Sequence, residues 1–386
     1  MTGTASAAPA SNTNALTPQN IMTNPALNAV ARNELLSSAL RQSLALSPDV
    51  GGVGGQTFRH KLENLGILTA VDVLVSMTVT NNAAAGGAAL APTPGFPYNL
   101  IKKFALRDYA NLERIQASGV QIFLRNAIHN ARVPYTANTY AEGNPATPFA
   151  YPSSSADGAI AAASSATIEF YIRVPISVGM MNTVGALLMQ ANTGQVFFET
   201  TFASNSAAGG FDQPFVGDYS ISNIECTLVQ QYLQPQGPAP VLPYQDLSTV
   251  YELNGLQQDN TNLAVGLPKF INFPDARIVH GMYLLFANGA WNYGTDLTSL
   301  KVRMSGNTYV DNDPPQLWIM RLREMLGGDI MPGFYYYSSA RKPIVTNLLG
   351  QVQLELIPSS LGANPYTLTM SESTYAVNTP LPGIGG

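Results

Sequence analysis

The sequence predicts an all-β protein with minor helices, built from two antiparallel β-sandwiches in tandem. Three observations predict this fold: apolar and polar residues alternate through most of the chain, turn-forming residues separate the alternating runs, and one helix-then-strand signature occurs twice. The 386 residues exceed the length of one ordinary domain and suit two.

The alternation has a period of two, as a strand with one buried face requires. It is clearest in 71–80, 168–174, 300–304 and 352–356. The chain contains 33 glycines and 27 prolines, and many of them cluster between such runs, where strands must stop. This pattern favours antiparallel sandwiches over alternating strands and helices.

The helix-then-strand signature indicates a duplication. Ser118 opens the first amphipathic helix, and Asp313 with two prolines opens the second. Each helix is followed by a similar strand, and a further strand closes each half. These matching strands are 168–176 and 334–345, then 220–233 and 366–377.

The duplication predicts how the chain is divided. We expect a flexible N-terminal arm with a helix, a first sandwich with long loops, and a second sandwich with a C-terminal tail, at 1–50, 51–240 and 241–386. The glycine run 51–55 predicts a hinge after the arm. The long loops of the first sandwich are predicted at 131–166 and 178–218.

The arm should carry one helix, capped by Asn24, with Pro25 in its first turn and its end at Pro48. Two interpretations of this helix stay open: it packs on its own domain or a neighbouring chain, or it lies near a membrane surface. The candidate membrane-facing residues are Leu27, Arg32, Leu36, Leu40, Arg41 and Leu44.

The charge content argues against a protein that grips nucleic acid. There are 19 basic and 24 acidic residues, giving a net charge of −5 without a basic stripe. Charged residues make up only 11% of the chain, which leaves two interpretations: much of the surface contacts other protein, or Ser, Thr, Asn and Gln side chains solvate it in place of charges. The absence of a signal peptide and of a long apolar stretch predicts that the protein is cytosolic when made.

The sequence shows no catalytic motif, so we expect neither an enzyme nor a bound cofactor or metal. His60, His129 and His280 lie far apart, and the single cysteine, Cys226, alternates with apolar residues as a core residue would. The acidic group 311–313 lacks the remainder of a calcium loop, and helix capping by Asp313 explains it more simply.

The residues leave two specific functions open. A carbohydrate-active sandwich enzyme would need two carboxylates that converge from separate strands. A receptor-binding spike or adhesin would need a glycan pocket rimmed by aromatic residues, which Trp291 and Trp318 support weakly. The aromatic and basic groups at 286–296 and 335–342 are typical of base stacking, but cross-strand packing and contacts with a neighbouring chain explain them better.

Several segments resemble one family, the major capsid proteins of tectiviruses, which are tailless phages with a membrane beneath the protein shell. The resemblance runs from about Leu16 to the C-terminus. It is specific around 242–300 and 335–345 and weak in 1–15 and 131–166. The segments that carry it are 16-LTPQNIM-22, 242-LPYQDLSTVYEL-253, 286-FANGAWNYGTDLTSL-300 and 335-YYYSSARKPIV-345.

The resemblance implies two tandem eight-stranded jelly rolls of the adenovirus-hexon lineage, with an N-terminal helix. It also implies a homotrimer with a pseudo-hexagonal footprint, located in the icosahedral capsid of the virion. The N-terminal helix would then face the viral inner membrane, and penton and minor capsid proteins would be further partners. Three copies of a duplicated chain can mimic sixfold symmetry, which agrees with this geometry.

Overall fold

The computed structural model shows a chain made mostly of β-strands. Its helices are α1 (Pro18–Thr23), α2 (Pro25–Ser38), α3 (Gly119–Asn130), α4 (Tyr244–Leu247) and α5 (Pro315–Leu326), with a 3-10 helix at Tyr98–Leu100. The structure describes residues 16–93, 95–130, 159–179, 182–190, 194–206, 213–237, 240–257, 263–287, 295–304, 308–327, 333–339, 344–346, 351–362 and 365–376.

The strands fall into two successive groups along the chain. Those of the first half are β1 (Leu40–Ala45), β2 (Asp49–Gly52), β3 (Thr57–Lys61), β4 (Ile67–Asn81), β5 (Ala91–Pro92), β6 (Ile101–Arg107), β7 (Glu113–Ala117), β8 (Ser165–Pro175), β9 (Leu187–Leu188), β10 (Phe197–Phe202), β11 (Phe215–Val216) and β12 (Tyr219–Gln234). Those of the second half are β13 (Thr249–Gln257), β14 (Lys269–Asn272), β15 (Ile278–Ala287), β16 (Leu297–Met304), β17 (Thr308–Asp311), β18 (Phe334–Ser338), β19 (Ile344–Val345), β20 (Val352–Pro358) and β21 (Tyr366–Ala376).

Each half contains two four-stranded rows. In the first half the rows are β1-β12-β4-β8 and β7-β6-β10-β3; in the second they are β13-β21-β15-β18 and β17-β16-β20-β14. The order is the same in both halves, so the structure confirms the predicted duplication and the eight main strands of each sandwich. The minor strands β2, β9 and β19 add to these rows, and β5 pairs with β11.

The two halves share one continuous sheet. Strands β13 and β7 pair in parallel, with Leu253 opposite Ile115 and Asn254 opposite Gln116. The other strand pairs that the structure describes are antiparallel, as predicted. This parallel contact joins β7-β6-β10-β3 of the first sandwich edge to edge with β13-β21-β15-β18 of the second.

The predicted alternation corresponds to buried and exposed faces. On β4, Val71, Val73 and Val75 are buried in the core of the first sandwich, whereas Leu74 is 44% exposed. A separate core fills the second sandwich, around Leu300, Val302 and neighbouring strands. Apolar burial on one face of each strand therefore fixes its register, because a shift by one residue would expose the whole set.

The two helix starts differ in their caps. Ser118 begins α3 as predicted: its hydroxyl accepts from the backbone N–H of Gln121 (3.3 Å), and the side-chain Oε1 of Gln121 accepts from the backbone N–H of Ser118 (2.8 Å). The prediction that Asp313 caps α5 is wrong. The capping position belongs to Pro314, which has no side-chain acceptor, and the Asp313 carboxylate lies 2.6 Å from Arg321 instead.

Two predicted loop features are wrong. The segment 178–218 contains β10, which lies between β6 and β3 in the first sandwich. The glycine run 51–55 is tied to the same sandwich, because the N–H groups of Gly54 and Gly55 donate to the carbonyls of Ile221 (3.0 Å) and Ala203 (2.9 Å). The predicted loop at 131–166 lies, up to residue 158, outside the described residues.

Candidate functional site

The part of the chain that the structure describes contains no group of three or more His, Cys, Asp or Glu side chains placed to hold a metal ion. His60, His129 and His280 lie on β3, α3 and β15. Cys226 is a buried core residue, as predicted, and desolvation raises the pKa of its thiol to about 12, so it is a poor nucleophile.

A buried polar cluster lies where the two sandwiches meet, which we call the seam. Here α3 of the first sandwich lies against the outer face of β13-β21-β15-β18. Glu372 on β21 accepts at Oε1 from Tyr251 (2.7 Å) and from Arg125 of α3 (3.2 Å). Its Oε2 accepts from Tyr283 (2.7 Å) and lies 2.9 Å from Nε2 of His129. The carboxylate therefore joins α3 to three strands of the second sandwich.

The seam carboxylate is fully enclosed. Only 1% of the Glu372 side chain and 6% of the Arg125 side chain is exposed. Burial alone would raise the pKa of Glu372, but the charge of Arg125 and the hydrogen bonds from His129 and Tyr251 outweigh it. The pKa of Glu372 therefore lies well below its usual range, and the group is ionised at neutral pH.

Additional contacts fix α3 in the seam. Arg125 also donates to the hydroxyl of Tyr251 (3.1 Å) and to the carbonyl of Val178 (2.7 Å), and Gln121 donates to the carbonyl of Thr369 (2.7 Å). Apolar side chains of the second sandwich, including Leu322 and Met370, join the hydrophobic core of the first. The seam thus combines apolar burial with one directional, charged contact.

The N-terminal segment differs from the predicted single helix. Helix α2 ends at Ser38, not at Pro48, and residues 40–45 form β1, which pairs antiparallel with β12. The unpaired edge of β12 explains the difference: pairing satisfies the backbone groups of 40–45, which the apolar spacing of that stretch cannot reveal. This part of the predicted arm is therefore a strand of the first sandwich.

The six candidate membrane-facing residues do not share one helix face. Leu27, Arg32 and Leu36 lie on α2 and are half-buried. Leu40, Arg41 and Leu44 lie on β1, where Leu40 and Arg41 are exposed and Leu44 is half-buried. The prediction that all six lie on one helix is wrong for these last three. No helix in the described ranges is long and apolar enough to cross a membrane.

Helix α2 is tied to the joint between the sandwiches through Asp246 of α4. Arg32 donates to both carboxylate oxygens of Asp246 (2.5 and 2.7 Å), and Asn28 (2.7 Å) and Thr183 (2.5 Å) complete its partners. The hydrogen bond to Asp246 raises the pKa of Arg32 and keeps the guanidinium charged. The helix therefore packs on its own chain, which is one of the two interpretations that its sequence allows.

The tyrosine-rich strand β18 packs across the sheet. The Tyr336 ring lies 4.9 Å from that of Tyr283, the Tyr337 ring lies 6.0 Å from that of Trp318, and Tyr335 is fully buried. Cross-strand packing therefore explains these tyrosines better than base stacking does. The predicted basic partners at 341–342 lie outside the described residues, as do residues 288–294 of the aromatic cluster at 286–296, including Trp291.

Comparison with known families decides the identity of this fold. Residues 52–232 match the family model of the P3 major capsid protein N-terminal part, and residues 248–381 match that of its C-terminal part. The chain belongs to the P3 major capsid protein family. It is 25% identical over 392 residues to the major capsid protein P3 of Enterobacteria phage PRD1, covering 94% of this chain and 97% of that protein. The resemblance to tectivirus capsid proteins is thereby confirmed.

Solved virus structures share the fold at low sequence identity. The Sulfolobus turreted icosahedral virus structure matches with a TM-score of 0.62 at 12% identity, covering 88% of this chain and 91% of that one. The capsid of virus PBCV-1 matches with a TM-score of 0.55 at 11% identity, covering 87% and 94%. These matches confirm the predicted double jelly roll.

Family membership establishes the general function. The P3-family chain is a structural capsid protein of the virion, not an enzyme, and its capsid-protein homologues assemble with copies of themselves. The alternatives of a carbohydrate-active enzyme and of a receptor-binding spike gain no support from these matches. The seam and the N-terminal segment stand out within the chain because their contacts span long distances in sequence.

Substitution of Asp246 should loosen α2. In Asp246→Asn, Arg32 loses its charged partner, which costs about 1–3 kcal/mol of local stability and raises the open population about 5- to 150-fold. Limited trypsin digestion should then cut after Arg32 or Arg41 faster than in the parent chain. Glu34→Gln, on the exposed side of the same helix, is the control and should leave the cleavage rate unchanged. Equal cleavage rates for Asp246→Asn and the parent chain would show that Asp246 does not hold α2 in place.

Substitution of Glu372 should weaken the seam in a pH-dependent way. Glu372→Gln leaves the buried Arg125 uncompensated and should lower the free energy of unfolding by about 3 kcal/mol at pH 7. The ordinary pKa is 4.5 and the folded value is lower, so this stabilisation is present above pH 4.5 and disappears as the pH falls further. Urea unfolding between pH 7 and pH 3 should show that the difference in free energy of unfolding between parent and variant shrinks below pH 4.5. A difference that does not change with pH would contradict a stabilising role for ionised Glu372 in the seam.

Proposed function

We propose that this P3-family chain forms a homotrimeric capsomer with a pseudo-hexagonal outline, and that the capsomers tile an icosahedral shell over an internal membrane of a bacteriophage. One observation carries the proposal: two sandwiches with the same strand order stand side by side in each chain and share a sheet. Three such chains supply six similar units, and cyclic association of six units closes a ring.

The division of the chain follows from the same repeat. Residues 241–386 supply the second jelly roll, and residues 51–240 supply the first together with β1 and β2, so the separate N-terminal part is shorter than the 1–50 expected from the sequence. The joint between them carries α4, whose Asp246 binds both α2 and the segment that contains Thr183. This arrangement would set the position of the N-terminal part relative to both jelly rolls in every copy.

The proposed membrane contact lies in the N-terminal segment. Exposed apolar side chains occur there at Met22, Val30 and Leu40, which are 39%, 49% and 51% exposed, with Arg41 as an exposed cation. Apolar groups with a nearby cation suit the interface of an anionic membrane. Arg32 takes little part in this contact, because Asp246 holds it. The penton and minor capsid proteins are proposed as further partners of the shell.

The oligomer is tested by native mass spectrometry of the purified full-length chain. The expected result is a trimer that persists on heating until the subunits unfold, because the association would bury large uncharged surfaces. A chain that stays monomeric at micromolar concentration would contradict the proposal.

The membrane contact is tested by flotation with vesicles that contain phosphatidylglycerol. The double variant Met22→Asp with Val30→Asp should bind about 10-fold less, since each substitution places a carboxylate against an anionic, apolar surface. Leu267→Asp, at a site that is 61% exposed in the second jelly roll, serves as the matched control. If the double variant floats as well as the control, this segment does not contact the membrane.

A further inference from the structure

The two helices of the duplicated unit occupy equivalent places in the chain. Helix α3 follows β7 and precedes β8, and α5 follows β17 and precedes β18. Both helices have 12 residues, and Arg125 and Arg321 are each the seventh. Alignment of the two helices therefore pairs these arginines with each other.

The equivalent faces of the two helices differ in exposure. On α3, Leu124 and Arg125 are 1% and 5% exposed, and Arg125 binds Tyr251 and Glu372 of the second jelly roll in the seam. The aligned residue Met320 of α5 is 60% exposed, and the side chain of Arg321 is 53% exposed. Met325 is also exposed, as is His129, the residue of α3 with which it aligns. The positions that α3 buries at Leu124 and Arg125 are thus open on α5.

The surface that covers α3 also has an equivalent. It is the outer face of β13-β21-β15-β18, which corresponds by strand order to the outer face of β1-β12-β4-β8 in the first jelly roll. Leu74 is 44% exposed on that face. Glu169 and Glu225 flank Ser76 on the neighbouring strands, and both glutamates are exposed. This surface therefore combines an exposed leucine with a short acidic row.

We infer that the exposed face of α5 (Met320, Arg321, Glu324 and Met325) docks on the outer face of β1-β12-β4-β8 of a second copy of this chain. The contact repeats between chains what the seam does within one chain. It rests on the proposed trimer and specifies which surfaces meet in it. Such a contact joins two different surfaces, so it repeats head to tail, and a ring of six units closes after three chains.

Charge and exposure favour a second copy of this chain as the partner of α5. Arg321 is at the position equivalent to that of Arg125, which binds a carboxylate of the adjoining jelly roll. The docking surface offers the carboxylates of Glu169 and Glu225. Within its own chain Arg321 lies 3.6 Å from Asp311 and 2.6 Å from Asp313. Exposed ion pairs of this kind contribute little, so exchanging partners costs little. Met320 and Met325 supply apolar area that can adapt to a partner surface.

The contact is tested first with variants on each surface. Met320→Asp with Met325→Asp alters the α5 face, and Leu74→Asp alters the sheet face. Each should raise the dissociation constant of the trimer about 100-fold in analytical ultracentrifugation, because each places a charge in a buried contact. Leu267→Asp, at a leucine elsewhere that is 61% exposed, should leave the trimer intact. Circular dichroism establishes that the variants remain folded.

Mixing the two variants tests the head-to-tail geometry. An equimolar mixture contains one intact α5 face, on the Leu74→Asp chain, and one intact sheet face, on the other chain. The expected product is a heterodimer with a single good contact, at a concentration at which neither variant associates alone. A mixture that stays monomeric would show that these two surfaces do not meet.

A cysteine-accessibility measurement covers the case in which the aspartate variants misfold. Cys226 is buried, so a cysteine introduced by Met320→Cys or Leu267→Cys is the main reactive thiol. In the assembled trimer, Met320→Cys should react with a maleimide at least about 10-fold more slowly than Leu267→Cys. Equal rates in a confirmed trimer would overturn the assignment of α5 and leave the trimer itself standing. A parent chain that never trimerises would instead overturn the proposed function.

Discussion

The bond network around Glu372 is the constraint on which the two-part architecture depends. Apolar burial alone would let two sandwiches slide past each other, because hydrophobic contacts are not directional. A buried carboxylate that needs Arg125, Tyr251 and Tyr283 at fixed distances allows one relative placement. The parallel pairing of β13 with β7 adds a second constraint at the adjacent edge. Together they make the pair of jelly rolls a defined building block.

The structure shows where several of the few charged side chains are used. They form ion pairs within the chain, such as Asp72 with Arg173, Asp108 with Arg114 and Glu252 with Arg277. These pairs connect strands or adjoining turns. Much of the remaining surface is therefore uncharged and suited to contacts with other copies, since charges are depleted in interface cores. The ion pairs of this molecule position one part of the chain relative to another.

Much of the fold could be predicted from sequence, because strand alternation and helix caps are local signals. The strands at β4, β8, β12 and β21 and the start of α3 are of this kind. The missed features depend on distant partners: β1 forms because β12 offers an unpaired edge, and Asp246 meets Arg32 across 214 residues. The seam also escaped prediction, although an isolated glutamate within the strand that carries Glu372 is a signal that could have found it.

The central claim is that the contact between jelly rolls within one chain is repeated between chains to close a ring. Single-particle cryo-electron microscopy of the soluble oligomer, at a resolution that shows helices, tests this claim most directly. The account predicts three chains and six jelly rolls in a ring, with α5 of each chain against the β1-β12-β4-β8 sheet of the next. A ring in which α5 points to solvent, or an oligomer with a two-fold axis between chains, would contradict it.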